Sequence, residues 1–344
     1  LNAKKIFTLV AVSGVFVALA ISAYLYYMAF TANTSFSQNE VYVYIPTDAT
    51  YEMVLEEVKP FVTDIDKFDF VAQKRNYTPK PGKYLLKKGS NSFALVRSMY
   101  ANVPVKVAFN NQETINDLAV RLSAQLEPSV ASFETAFTDS TFLAKNNLNK
   151  EAALALFIPN TYEFYWNTSA EKVADKLAKE YQKFWNHERL AKAEAKGLTP
   201  VQVAILAAIV HKETAKVSER PTVAGVYLNR LATGMPLQAD PTVIFAIKKE
   251  SGNFDQIIKR VFYNDLKINS PYNTYVNTGL PPGLIAMPDI SAIDAVLNAP
   301  KHDYLYFCAS PERPGYHEFA ANYAQHQINA KKYSEWVNKL GIER

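Results

Sequence analysis

The sequence predicts an α+β protein behind a membrane-spanning helix, and three observations carry that expectation. After Lys4 and Lys5 no charged side chain occurs until Glu40, and Ile6 to about Phe30 is almost wholly apolar, long enough to span a bilayer as a helix. Between about residues 40 and 150, short alternating strands recur with turn residues and helical patterns opened by threonine. From about residue 151 onward, helical periodicities with capping signals mix with short apolar strand-like runs.

The two lysines on the near side of the apolar run, with no charge just beyond it, place residues 1–5 in the cytoplasm, 6–30 in the membrane and the rest outside. A cleaved signal peptide is the competing reading. The run is long for one, and Ala18-Leu19-Ala20 leads into more apolar sequence rather than a polar start. Residues 31–39, mostly Thr, Asn, Ser and Gln, form a polar linker expected to lift the remainder off the membrane.

From Glu40 the residues Val41, Val43 and Ile45 alternate as in a strand, Pro46 and Asp48 turn the chain, and Thr50 opens a helix with Met53, Val54 and Val58. The pattern recurs downstream, where Val105, Val107 and Phe109 alternate, Asn110 and Asn111 turn, and Thr114 opens a helix with Leu118 and Leu122. Between them Pro81-Gly82 precedes a short strand, and Gly89 to Ser92 leads into a helix around Phe93 to Tyr100. Residues 40–101 resemble a degenerate LysM module, a small fold that binds glycan strands, with a plain spacer as the alternative; residues 102–150 form a second strand–helix subdomain.

Further on, Phe157 to Phe164 reads as a strand broken by Pro159, followed by a helix over about Ser169 to Trp185 and an Ala/Lys/Glu-rich solvated segment to Gly197. Thr199, Pro200 and Gln202 form a capping box with proline where its missing N–H costs nothing, so a helix starts near Pro200. Val203, Leu206, Val210, Glu213 and Val217 follow at spacings of three and four, which puts Glu213 on the apolar stripe. Partial burial there raises a carboxyl pKa, as a general acid near neutral pH requires. The alternative is a helix-terminal Glu facing solvent or paired with Lys216 or Arg220. Ser218 is the expected cap of the next helix, which carries Val223, Val226, Tyr227, Arg230 and Leu231; Asp240 before Pro241 is the expected cap of a third.

Composition narrows the function classes. With 344 residues and 49% hydrophobic types the chain can bury more than one core. Its net charge of +4 is spread without a basic block or an aromatic RNA-binding motif, which excludes a nucleic-acid partner. The single cysteine, Cys308, falls in an apolar run expected to be a buried strand, so neither an internal disulfide nor a cysteine metal site is available. His302, His317 and His326 lack a metal-ligand pattern and are expected to be satisfied surface or core residues.

The runs Ile209-Val210-His211-Lys212-Glu213-Thr214, Ser218-Glu219-Arg220, Val223 to Leu231, Gly234 to Val243, Tyr272-Asn273-Thr274-Tyr275 and Gly279 to Ile285 closely resemble the MltG (YceG-like) endolytic murein transglycosylase family. The likeness extends upstream to Phe157-Ile158-Pro159-Asn160-Thr161-Tyr162 and downstream to Tyr304 to Phe307 and Gly315 to Phe319, in fixed order. It covers about residue 154 to the end strongly and the anchor and LysM-like module weakly. It implies a catalytic domain over 151–344 that cleaves the β-1,4 bond between N-acetylmuramic acid and N-acetylglucosamine inside peptidoglycan strands, leaving 1,6-anhydro ends. The family's usual run has two acids, Glu-Lys-Glu, whereas this chain has His211 at the first position and keeps Glu213 at the second, so the resemblance assigns catalysis to Glu213.

Such chemistry needs one acid, because the C6 hydroxyl of the sugar replaces water as the nucleophile. Arg230, Gln238, Asp240 and Asn273 are the expected polar partners of substrate, and Tyr272 and Tyr275 the rings that stack on sugar faces; for Asp240, helix capping is the competing role. The rigid loop Gly279-Leu280-Pro281-Pro282-Gly283 is expected to shape a cleft wall. His211 is expected on a different helix face, exposed. The reaction calls for no metal or organic cofactor. The partners implied are peptidoglycan strands, the cytoplasmic membrane and, by resemblance, synthases such as penicillin-binding proteins. The location implied is the outer face of the inner membrane, where strand elongation ends. Two other functions stay open: a pyridoxal-phosphate lyase, disfavoured because neither a phosphate cup nor a lysine suited to the cofactor is evident, and a non-catalytic glycan-binding scaffold of the envelope.

Overall fold

The computed structural model describes residues 3–339, so Leu1, Asn2 and residues 340–344, the ends of the expected stub and catalytic domain, lie outside the described residues. The chain divides into two units, one of residues 3–107, 125–128 and 163–169, the other of residues 108–124, 129–162 and 170–339. The architecture is mixed α and β, with two-stranded sheets among the described residues.

In the first unit helix α1 (Ala3–Phe30) is long and apolar enough to cross a membrane, and a helix of this kind serves either as an anchor or as a signal sequence. Strand β1 (Glu40–Ile45) is followed by α2 (Tyr51–Val58) and α3 (Ile65–Lys74), then β2 (Gly82–Lys87), α4 (Ser92–Ser98) and β3 (Pro104–Phe109). Alternation decides which side of β1 is buried: Val43 and Ile45 face the core while Tyr42 and Tyr44 face out. Antiparallel pairing of β1 with β2, from Glu40↔Lys87 to Ile45↔Gly82, adds Tyr84 and Leu86 to the same face. The helices begin where the sequence supplies caps. Thr50 Oγ1 accepts from Met53 N at 3.3 Å, and Asn91 Oδ1 from Ala94 N at 2.9 Å.

Residues 31–39 do not stand free as a linker. Asn33 is fully buried, its Nδ2 donating to Asp64 O (2.8 Å) and Ser92 Oγ (3.0 Å) while its Oδ1 accepts from Thr63 Oγ1 (2.8 Å) and Asp64 N (2.9 Å). One amide side chain thereby ties the exit of α1 to the cap of α3 and the first residue of α4. A polar composition signalled a linker, but polar side chains this close to helix N-termini find backbone donors and dock.

The second unit contains α5 (Ile115–Ser123), α6 (Val130–Thr138), α7 (Ser140–Lys145), a 3₁₀ segment Lys150–Leu156, α8 (Ala170–Phe184), α9 (His187–Glu194), α10 (Pro200–Glu213), α11 (Arg220–Ala232), α12 (Asp240–Ser251) and α13 (Ile290–Leu297), then β5 (Tyr306–Ala309), β6 (His317–Ala320) and α14 (Tyr323–Lys339). Strand β4 (Asn160–Tyr165) begins only after Pro159, so Phe157 and Ile158 are buried loop rather than strand. The α5 capping box is complete, Thr114 Oγ1 accepting from Asp117 N and Asp117 Oδ2 from Thr114 N. Strands β5 and β6 pair antiparallel from Tyr306↔Ala320 to Ala309↔His317; Cys308 in β5 is half-buried, not buried.

Helix α10 starts as its capping box predicts but is not amphipathic. Every residue from Val203 to Val210 is buried, because α11, α12 and α13 pack around it. The helix stops at Glu213, so Val217 lies beyond it and is 56% exposed. Neither downstream cap forms as expected: α11 begins at Arg220 after Glu219 without a side-chain cap, and Asp240 is itself the first residue of α12.

Asn33→Ala removes four side-chain hydrogen bonds from a site with no exposure, and is expected to destabilise the first unit by about 3 kcal/mol. Thermal unfolding of the full chain measures it, and a loss near zero refutes the docked linker.

Candidate active site

Glu213 is the last residue of α10, where the unsatisfied carbonyls of the helix terminus disfavour a negative charge. Its Oε1 accepts a 2.7 Å hydrogen bond from Tyr227 Oη of α11. Burial pushes the Glu213 carboxyl up to about 7, and the charge of Asp240 adds to the rise; the Tyr227 hydrogen bond and the Arg230 guanidinium oppose it. Neither Lys216 nor Arg220 pairs with it. Arg220 turns away to bind Asp289 (2.8 Å to both oxygens), Ser291 Oγ (2.6 Å) and Thr214 O (3.3 Å), which pins the turn joining α10 to α11.

A cavity of about 300 Å³ opens over this carboxyl, and Arg230, Gln238, Asp240 and Tyr275 line it together with Tyr227, Tyr306, Phe307, Tyr323 and His326. Tyr275 Oη donates to Asp240 Oδ1 at 2.6 Å. Asp240 therefore directs its side chain to a ring in the cavity and not to its own helix N-terminus, which corrects the capping role. Arg230 pairs with neither Glu219 nor Asp240. Buried in α11, it donates to the carbonyls of Leu305 (2.7 Å), Leu237 (2.7 Å) and Pro236 (3.3 Å), with Gln238 Oε1 at 3.5 Å. Its role is to hold the loop before α12 and the start of β5 against α11 while leaving a positive charge beside the cavity. Gln238 sits on that loop with φ +51°, an uncommon conformation for a non-glycine residue, stabilised by its N–H to Thr274 O at 3.1 Å.

Two expected site residues lie outside this cavity. Asn273 has no exposure: its Nδ2 donates to Leu266 O and Ile268 O, both at 2.9 Å, and its Oδ1 accepts from Tyr275 N. It shapes the loop that presents Tyr275. Tyr272 is buried against Phe245, with its Oη donating to Glu151 Oε2 at 2.6 Å, and borders a different, larger cavity of about 640 Å³. Its ring has no face free for a sugar in the Glu213 cavity. The Gly279–Gly283 loop also leads to that second cavity. Gly283 packs so closely that an added Cβ would collide with the carbonyl of Glu151, and Leu284 lines the wall.

His211 is half-buried, not exposed, with Nδ1 3.2 Å from Asp289 Oδ2; burial pushes its pKa down against the pull of Asp289. His317 Nδ1 meets Glu219 Oε2 at 2.7 Å. His326 stacks on Tyr306 at 5.2 Å, lines the cavity, and has a buried Nδ1 without a protein partner. Tyr227, Tyr306 and Tyr323 were not expected at the site, and His326 was expected only as a satisfied surface or core residue. A usable signal was present, since Tyr227 with Arg230 and Tyr323 with His326 are spaced i, i+3 and so share a helix face.

The fold and the site define an α+β protein with one neutral-poised carboxylic acid in a polar, aromatic cavity. A profile of the YceG-like family matches residues 43–332, and the chain belongs to that family. The endolytic murein transglycosylase of Bacillus subtilis (strain 168) is 28% identical over 278 residues, covering 75% of this chain and 74% of the relative. The protein of the same description from Streptococcus pneumoniae (D39) is 28% identical over 295 residues, 77% of this chain, which spans only 53% of that relative's length. Among solved structures, the 2.6 Å crystal structure of a yceG-like protein from Listeria monocytogenes aligns with TM-score 0.57 and 27% identity, over 85% of this chain and 99% of that one.

A folded-state pKa near 7 against 4.5 for a free Glu means that the contribution of Glu213 to stability is full below about pH 4.5 and lost as pH rises through 7. Glu213→Gln removes that loss. The variant is expected to gain stability over the parent progressively from pH 4.5 to 7, reaching about 3 kcal/mol above pH 7. Melting curves at pH 5 and pH 8 test it; an equal difference at both would mean that the carboxyl is not perturbed.

Proposed function

We propose that the protein is a membrane-anchored, endo-acting lytic transglycosylase of peptidoglycan. The observation that carries the reading is the Glu213 carboxyl, raised to about 7 and held by Tyr227 at the floor of a cavity lined by polar groups and rings. Because Oε1 accepts from Tyr227, the acid proton belongs on Oε2, free to face a substrate oxygen.

In the reaction Glu213 donates that proton to the glycosidic oxygen between N-acetylmuramic acid and N-acetylglucosamine as the C1–O bond breaks. The resulting carboxylate then takes the proton of the C6 hydroxyl as O6 bonds to C1, which closes the 1,6-anhydro ring and restores the acid. No water is consumed. Charge on the oxocarbenium-like transition state is met by the Glu213 and Asp240 carboxylates, while Tyr275 and Gln238 orient the sugar. Arg230 and Asn273 act by positioning the loops that carry these groups. The names of the curated relatives support the same substrate.

The presence of Asp240 in the same cavity favours one second reading, hydrolysis, in which Asp240 activates water and the product carries a reducing end. For the remainder of the chain we propose anchoring by α1 with the soluble part on the outer face of the cytoplasmic membrane. There a LysM-like module over 40–101, a subdomain over 102–150 and the catalytic domain from 151 end nascent strands near the synthases.

Digestion of purified peptidoglycan by the protein, with product masses measured, is expected to give anhydro ends, lighter by one water than hydrolytic ends. Glu213→Gln should lower that rate by about 10³-fold or more while folding is retained; anhydro product at the parental rate overturns the assignment, and no cleavage by the parent favours the scaffold role. Asp240→Asn removes a charge that raises the Glu213 pKa, so the loss of activity on the alkaline side should shift to lower pH. A pH–rate profile unmoved by the substitution would show that the two carboxyls do not interact.

A further inference from the structure

Helix α1 does not end at the membrane surface and then release the chain; its last two turns are packed against the first unit. Tyr24 meets the Phe70 ring of α3 edge-on with centroids 6.0 Å apart, Phe30 stacks on Phe93 of α4 at 5.5 Å, and Lys67 Nζ lies 3.7 Å above the Tyr27 ring and donates to Thr31 Oγ1 at 3.1 Å. The level of these contacts along α1 follows from helix geometry. Ile6 to Ala23 advances about 27 Å at the α-helical rise, close to the thickness of a bilayer's hydrocarbon core. With Lys4 and Lys5 at one boundary, Tyr24, Tyr26 and Tyr27 fall at the other, in the interfacial zone that tyrosine prefers. Phe70, in contact with Tyr24, must lie near the same level, and Phe93, in contact with Phe30, about 9 Å further out, at headgroup depth.

Two cations share that face. Lys74 Nζ is 5.8 Å from the Phe70 ring centroid and the Arg75 guanidinium 4.8 Å from that of Phe93; both residues are exposed, and among the described residues neither holds an ion pair. Of the acids on α3, Asp66 is exposed one turn before Phe70 and offsets part of this charge, whereas Asp69 is occupied by Tyr51 Oη (2.6 Å) and Gln73 Nε2 (2.8 Å). Aromatic rings at interfacial depth with unpaired cations beside them suit a surface of acidic lipid.

We propose that the face formed by the end of α3 and the start of α4 is a docking surface for the anionic headgroups of the bilayer that α1 enters, so that the first unit rests on the membrane instead of standing off it. The proposal rests on the anchor reading of α1. It gives Asn33 a purpose, since the buried amide locks the helix exit to the N-termini of the two helices that form the surface.

The test uses the full chain carrying Cys308→Ser and a nitroxide on either Gln73→Cys or Val15→Cys, reconstituted in phosphatidylglycerol/phosphatidylcholine vesicles, with depth read from collisions with oxygen and with a water-soluble nickel chelate. Both labels are expected to be shielded from nickel, Val15 at hydrocarbon depth and Gln73 at headgroup depth. Lys74→Gln with Arg75→Gln should leave Val15 unchanged and lower the docked-to-undocked ratio at Gln73 by about 30-fold. A deep Val15 with a fully aqueous Gln73 overturns the docking surface and leaves the anchor standing. An aqueous Val15 removes both. A shielded Gln73 indifferent to the charge substitutions, or equally shielded in pure phosphatidylcholine, excludes acidic headgroups as the partner.

Discussion

The burial of α10 on all sides is the constraint on which the site depends. A helix packed by three others has no solvated face to carry its charge, so the carboxyl at its C-terminal end is delivered into the protein already short of water. An ionised carboxylate there lacks hydration and faces the negative end of the helix, and only one hydroxyl, that of Tyr227, is directed at it. The least costly state near neutral pH is then the protonated one, which is the state a general acid requires.

The neighbouring residues are arranged to preserve that balance. Arg220 and Asp289 satisfy one another and Ser291, so that guanidinium fixes the turn and does not pair with Glu213. Arg230 is closer, yet its donors are taken up by three backbone carbonyls, and it contributes as a fixed charge rather than as a partner in an ion pair. Had either guanidinium bonded Glu213 directly, the carboxyl would have been held ionised and lost as an acid. Thr274 supports the same geometry from the other wall, since its carbonyl and hydroxyl receive the backbone N–H groups of Gln238 and Ala239. The loop before α12 thereby presents Asp240 and Gln238 to the cavity.

The first unit applies a comparable economy at its attachment to α1. A polar segment expected to be a tether is folded around Asn33, and the aromatic end of α1 packs onto two helices. With α1 as the proposed anchor, a flexible tether would let the unit sample many distances from the bilayer, whereas the docked segment would hold it at a single height.

Local rules in the sequence determined the starts of α2, α5 and α10, because a cap and its partner lie within three residues and need no tertiary help. They also determined the apolar length of α1 but not the end of α10, since the stripe ran on to Val217 while the helix stops at Glu213. The i, i+3 and i+4 stripe, however, implied an amphipathic helix where the structure buries every residue from Val203 to Val210, since periodicity reports one face and cannot count how many neighbours will pack. Only the tertiary structure decided that Asp240 turns to Tyr275, that Tyr272 and Asn273 support loops outside the cavity, and that Tyr306 and His326 enter it. Those outcomes depend on pairings across tens of residues, in which a polar group takes whichever partner the packed backbone brings within hydrogen-bond reach. A polar side chain in sequence fixes what it can bond; the fold alone fixes what stands opposite it.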